Sequence, residues 1–139
     1  MTEQLTQDDI RQMSESDWQE RLSPQAYYVL RQKGTERAFT GIYTDLEDKG
    51  VYHCQGCHAK LFSSEHKFHS GCGWPSFDRS ISSNALDETL DLSHGMRRIE
   101  INCHHCGGHL GHVFPDGPQD TTGLRYCINS AALSFEKAE

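Results

Sequence analysis

Two Cys-x-x-Cys pairs, Cys54-Gln55-Gly56-Cys57 and Cys103-His104-His105-Cys106, restrict this chain more than any other feature of its sequence. Each pair can present two sulfurs from one tight turn, and four thiolates complete a closed tetrahedral zinc site. Gly107-Gly108 suits the sharp return after the second pair. The pairs stand much further apart than the roughly 15 to 20 residues of a compact zinc ribbon. One structural Zn2+ per chain is therefore expected to clip two distant hairpins, contributing on the order of 10 kcal/mol to folding. A redox reading of one pair calls for a βαβ setting that the sequence does not offer. A catalytic zinc would keep an open fourth position. The neighbouring His53, His58, His104 and His105 are read as surface or supporting groups while four cysteines are available.

The 139 residues suit one core. A single domain over 1–139 is expected, with an N-terminal helical segment 1–38 and a zinc-containing β body 39–139. A formal charge of -7 gives no electrostatic reason to approach nucleic acid or an anionic membrane. The opening Met1 to Ile10 carries Glu3, Asp8 and Asp9 and lacks the positive start and apolar run of a signal peptide. The reading is cytoplasmic. In that reducing compartment, six cysteines point to metal binding or catalysis rather than a static disulfide framework.

Helix signals fill the first forty residues. Thr6 can cap a helix through Asp8, Asp9 and Ile10. Ser16 with Gln19 fits a capping box. Ser23-Pro24 starts a helix that Gly34 stops, with Ala26, Tyr27, Val29 and Leu30 as a docking face. After Phe39 the apolar runs are brief and separated by Gly, Asp, Asn and Pro, so the body reads as mostly antiparallel β. The strict alternation of Arg98-Ile99-Glu100-Ile101-Asn102 predicts a strand with one wet face.

Cys72 and Cys127 remain after the zinc set is subtracted. Cys72 lies in Ser70-Gly71-Cys72-Gly73-Trp74-Pro75, where flanking glycines allow unusual backbone angles and local movement. In Arg125-Tyr126-Cys127-Ile128-Asn129-Ser130, a strand puts Arg125, Cys127 and Asn129 on one face and turns Tyr126 and Ile128 to the core. The cation favours a reactive thiolate, and the Asn129 amide can hydrogen-bond whatever docks above the sulfur. The plainer alternative is a buried cysteine acting as a small hydrophobe. His109 and His112, three apart, point to opposite faces of a regular strand. A bulge, which Gly111 permits, is needed to bring both to one pocket.

Together, Cys54-x-x-Cys57, Gly71-Cys72-Gly73-Trp74-Pro75-Ser76-Phe77, Gly108-His109-Leu110-Gly111-His112-Val113-Phe114 and Arg125-Tyr126-Cys127-Ile128-Asn129-Ser130 closely resemble the methionine-R-sulfoxide reductase family, B type, over residues 16–135. The resemblance implies a mainly β fold of two antiparallel sheets with short N-terminal helices. It also implies reduction of the R epimer of methionine sulfoxide, protein-bound or free. On matching positions it implies Cys127 as nucleophile, Cys72 as resolving cysteine and Cys54, Cys57, Cys103 and Cys106 as zinc ligands. His112 takes the place of the acid; Trp74 and Asn129 match the substrate pocket, and His109, Asp116 and Arg125 stand in support. Many relatives carry Thr or Ser where this chain has Cys72, and some lack the zinc cysteines. The family often places Pro where Ala38 sits.

The implied cycle runs from a Cys127 sulfenic acid to a Cys72–Cys127 disulfide that thioredoxin reduces. Two other readings compete. A cysteine hydrolase could use Cys127, His112 and Asn129 but gives Cys72 no task. A zinc-knuckle interaction module leaves both cysteines passive.

Overall fold

The computed structural model describes residues 4–138, so residues 1–3 and 139 lie outside it. Three short helices, α1 (Gln7–Gln12), α2 (Glu15–Arg21) and α3 (Pro24–Gln32), precede nine strands. Thr6 caps α1 as expected, in a reciprocal box with Asp9. The box of α2 pairs Ser14 with Asp17, not Ser16 with Gln19. That phase lets Trp18 turn inward, where it is buried. Ser23 caps α3 with Pro24 behind it, and the left-handed residue closing the helix is Lys33 rather than Gly34. Ala26, Val29 and Leu30 bury the docking face.

All strand pairs are antiparallel. The smaller sheet orders β2 (Lys60–Ser63), β1 (Gly50–Cys54) and β9 (Leu133–Lys137). The larger runs β3 (Lys67–Phe68), β4 (Ser76–Phe77), β8 (Arg125–Ile128), β7 (His109–Phe114), β6 (Arg98–Cys103) and β5 (Leu86–Asp91). Aromatic rings join the sheets. Phe62 stacks on Phe77 with centroids 4.3 Å apart, and Tyr52 meets Phe77 edge-on at 5.2 Å.

The mainly β fold with two antiparallel sheets matches the expected class. The wet face of β6 does not. Glu100 is only 6% exposed, with Asn102 Nδ2 donating to it and Lys33 Nζ 3.9 Å away. Alternation separates two faces of a strand but does not say what covers each, and here residues following α3 reach the polar one. Among the described residues, no helix is long and apolar enough to cross a membrane.

Candidate active site

Register places the chemistry in one row. Cys127 of β8 lies opposite Ser76 of β4 on one side and His112 of β7 on the other, and Glu100 of β6 follows His112. The buried residues of β8 are Tyr126 and Ile128, so period two turns Arg125 and Cys127 to the polar face. The expected bulge is present: Ile101 pairs with Gly111 and Asn102 with His109, leaving Leu110 as the extra residue. A Cβ on Gly111 would lie 2.0 Å from the Cys127 carbonyl oxygen, so only glycine permits this strand approach. The bulge brings the His109 and His112 rings to 5.6 Å between centroids.

Cys72 reaches the row from a loop. Gly73 has φ +96°, a left-handed conformation that suits glycine, and its carbonyl accepts the Phe39 N–H at 2.7 Å. The two sulfurs stand 3.2 Å apart, both cysteines being free thiols. Burial disfavours a thiolate at Cys72. Hydrogen bonding with the Ser70 and Ser76 hydroxyls, with the Trp74 backbone and with Cys127 outweighs it and holds that thiol at about 7. Cys127 moves the other way, pushed well up by burial and by the adjacent Cys72 sulfur, with Arg125 opposing. Arg125 acts on Cys127 in the direction the sequence suggests, while burial and the Cys72 sulfur act against it and favour Cys72 as the more acidic thiol.

A cavity of about 220 Å3 opens over the pair, walled by Trp74, His112, Phe114 and Arg125, with Arg98, Thr35 and Asn129 at its edges. Trp74 is held by its indole N–H, which donates to the Glu36 carbonyl at 3.0 Å. Arg125 lies over the Phe114 ring at 4.4 Å and donates to Asp116 at 2.9 and 3.3 Å. His112 Nε2 is 2.8 Å from Asp91 Oδ2.

Three further predicted residues, Asn129, His109 and Asp116, engage other protein groups. Asn129 is buried with its amide engaged: Oδ1 accepts the Glu36 N–H at 2.9 Å and Nδ2 donates to the Leu110 carbonyl at 2.9 Å. It supports the cavity wall instead of offering a free group. His109 is buried too, donating from Nδ1 to the Val29 carbonyl at 3.3 Å, and it lines a second cavity behind His112. Asp116 stays outside as the partner of Arg125.

The four remaining cysteines form the second centre. Their sulfurs lie within 4.8 Å of one another, with Cys54–Cys106 at 3.7 Å and Cys57–Cys103 at 3.6 Å. Zn–S bonds of about 2.3 Å arranged tetrahedrally would put sulfurs about 3.8 Å apart, so the donor set fits such an ion. The knuckles repeat one turn: His58 N–H bonds Cys54 O, and Gly107 N–H bonds Cys103 O, with φ 66° and 76° at the donors. One knuckle follows β1 and the other follows β6, so the cluster spans both sheets. Arg21 donates to the Gly56 carbonyl at 2.6 Å and Arg31 to the Cys106 carbonyl at 3.3 Å, fastening α2 and α3 over it.

A family model described as the SelR domain matches residues 22–137. The chain is also 61% identical over 128 residues to a Chromohalobacter salexigens protein named peptide methionine sulfoxide reductase MsrB, covering 92% of this chain and 96% of that one. It belongs to the MsrB family. A Burkholderia cenocepacia protein of the same name is 58% identical over 125 residues, covering 90% of this chain and 87% of the relative. As an MsrB-family member the chain is an oxidoreductase.

The motifs that mark the MsrB family in this chain leave three site residues unmentioned. Glu36 holds Trp74, Asn129 and, through Oε1, the Ala131 N–H at 2.8 Å. Asp91 and Arg98 stand opposite each other across β5 and β6 and line the wall beside His112. No local pattern advertises Glu36 or Asp91; the alternation of β6 could have placed Arg98 on the face of Glu100.

Proposed function

We propose that the chain reduces the R epimer of methionine sulfoxide, protein-bound or free, to methionine, with Cys127 as nucleophile and Cys72 as resolving cysteine. The observation that carries this reading is the 3.2 Å separation of two free sulfurs beneath the Trp74 cavity. A hydrolase needs no second sulfur there, and a passive module needs no cavity.

The Cys127 sulfur attacks the electrophilic sulfoxide sulfur while its proton passes to the adjacent Cys72 thiolate. A proton from His112 goes to the sulfoxide oxygen. Collapse gives methionine and a Cys127 sulfenic acid: the substrate sulfur gains the two electrons that Cys127 loses. The Cys72 sulfur then attacks Cys127, its thiol proton and the hydroxyl leave as water, and a disulfide remains. A dithiol such as thioredoxin reduces it by exchange and restores both thiols.

Trp74 sets the substrate methyl against its ring, and Arg125 with Asp116 borders the entrance. His109 and Asn129 act as the supporting walls. In this reading the four-cysteine centre holds one Zn2+, which binds the two sheets together and takes no part in the reaction. A cytoplasmic protein repairing oxidised proteins accords with a redox cycle that needs a reducing dithiol.

Turnover of separated R and S sulfoxides with dithiothreitol and with thioredoxin tests the proposal. Methionine should form from the R epimer alone. Cys127→Ser should abolish it, while Cys72→Ser should release about one equivalent per chain and then stall with thioredoxin. Normal thioredoxin-driven turnover by Cys72→Ser would overturn the resolving role.

A further inference from the structure

Asp91 is placed as a holder of His112. Its Oδ2 lies 2.8 Å from His112 Nε2 and accepts from Arg98 Nη2 at 3.3 Å, while Oδ1 accepts the Ser93 N–H at 2.9 Å and hydroxyl at 2.6 Å. The His112 and Asp91 side chains are only 12% and 15% exposed, so this contact is mostly out of water. The donors, Ser93 first and then His112, hold the Asp91 carboxyl well below the usual carboxylate range. An ionised carboxylate only accepts, so the proton between the two residues belongs to His112 Nε2. Nδ1 is then the ring nitrogen left to address a ligand, and among the described residues it has no hydrogen-bond partner. On a neutral ring that nitrogen is a bare acceptor. It donates only when the ring carries both protons.

We propose that Asp91 is a positioning residue for the reductase reaction: it fixes His112 in the Nε2–H tautomer, so that the acid is the doubly protonated ring acting through Nδ1–H. The inference rests on the proposed sulfoxide reduction and adds Asp91 to it. In the acid step the Nδ1–H bond breaks as an O–H bond forms on the oxygen leaving the substrate sulfur. The ring returns to neutral with Nε2–H still on Asp91. A second cavity, of about 320 Å3 and lined by Asp91, Ser93, Arg98, Glu100, His109 and His112, adjoins the ring.

Two measurements test this. In imidazole-15N-labelled wild-type protein, neutral His112 should show a protonated Nε2 and a bare Nδ1; the reverse tautomer overturns the proposal without any variant. In single turnover, Asp91→Asn keeps the shape but removes the charge, and it should slow methionine formation roughly 100-fold. Substrate affinity should change less than about twofold. In a His112→Gln background the same substitution should cost less than about twofold, because the two act as a unit. Retention of more than about half the wild-type rate by Asp91→Asn, or an undiminished loss in the His112→Gln background, overturns the role. Absence of methionine formation by the wild type itself would instead reject the sulfoxide reading, which the tautomer measurement does not depend on.

Discussion

The indole N–H of Trp74 donates to the backbone carbonyl of Glu36 at 3.0 Å, hanging a wall of the cavity on the segment that follows α3. Trp74→Phe keeps an aromatic ring but leaves that carbonyl without its donor. We expect a stability loss of about 1 kcal/mol by urea denaturation. A several-fold rise in KM for methionine sulfoxide, exceeding the change in kcat, should accompany it. Unchanged KM would mean that the ring does not hold the substrate.

The two redox thiols should differ in their response to pH. Cys72 is depressed to about 7, so its thiolate is present above that value and is lost as pH falls through it. Iodoacetamide modification of Cys72, mapped by mass spectrometry, should fall about tenfold per pH unit below 7 and level off above. The same depression contributes stability that is fully present above the unfolded thiol's value, about 8.5, and lost as pH falls through about 7. Cys127 should react slowly throughout. Cys72→Ser removes a sulfur that raises it, so Cys127 should then alkylate faster. Faster modification of Cys127 than Cys72 in the wild type would contradict this assignment.

Metal removal should be catastrophic rather than graded. A structural zinc contributes on the order of 10 kcal/mol, comparable with a domain's whole stability of about 5–15 kcal/mol. Cys103→Ser, or prolonged chelation, should therefore abolish cooperative thermal unfolding. Elemental analysis of native protein should give one zinc per chain, and less than half an equivalent in a well-folded sample would reject the assignment.

The Arg125–Asp116 pair separates charge from stability. Asp116 is 65% exposed, so Asp116→Asn should shift unfolding by less than about 1 kcal/mol. Arg125→Met removes a cation that lowers Cys127, and it should slow Cys127 alkylation in the Cys72→Ser background. An equal alkylation rate would show that Arg125 does not act on the sulfur.

Local chemistry was readable wherever neighbours in sequence decide the structure. The knuckles, the Ser23-Pro24 helix start and the face shared by Arg125 and Cys127 are of this kind. The phase of α2 was not, because Ser14 and Ser16 both offer a capping pattern and burial of Trp18 selects between them. β5 escaped notice because Leu86-Asp87-Glu88-Thr89-Leu90-Asp91 is an edge strand, charged as exposed edges are and paired on one side by β6. The balance of influences on the Cys127 proton is not local either. Arg125 is two residues away, but the burial and the Cys72 sulfur that outweigh it arrive from distant chain.

Leu110, the extra residue of the β7 bulge, makes this strand behave like a message read in two frames. Residues before it serve the interior beneath α3, and residues after it serve the redox face. Deleting Leu110 alone would leave the Ile101–Gly111 and Asn102–His109 pairs consecutive and His112 still opposite Cys127; what it would remove is a buried side chain and the carbonyl that accepts both the Asn129 N–H and its Nδ2. The extra residue of β7 is therefore an anchor for Asn129, and through it for the segment that carries Trp74, rather than the feature that sets His112 opposite Cys127.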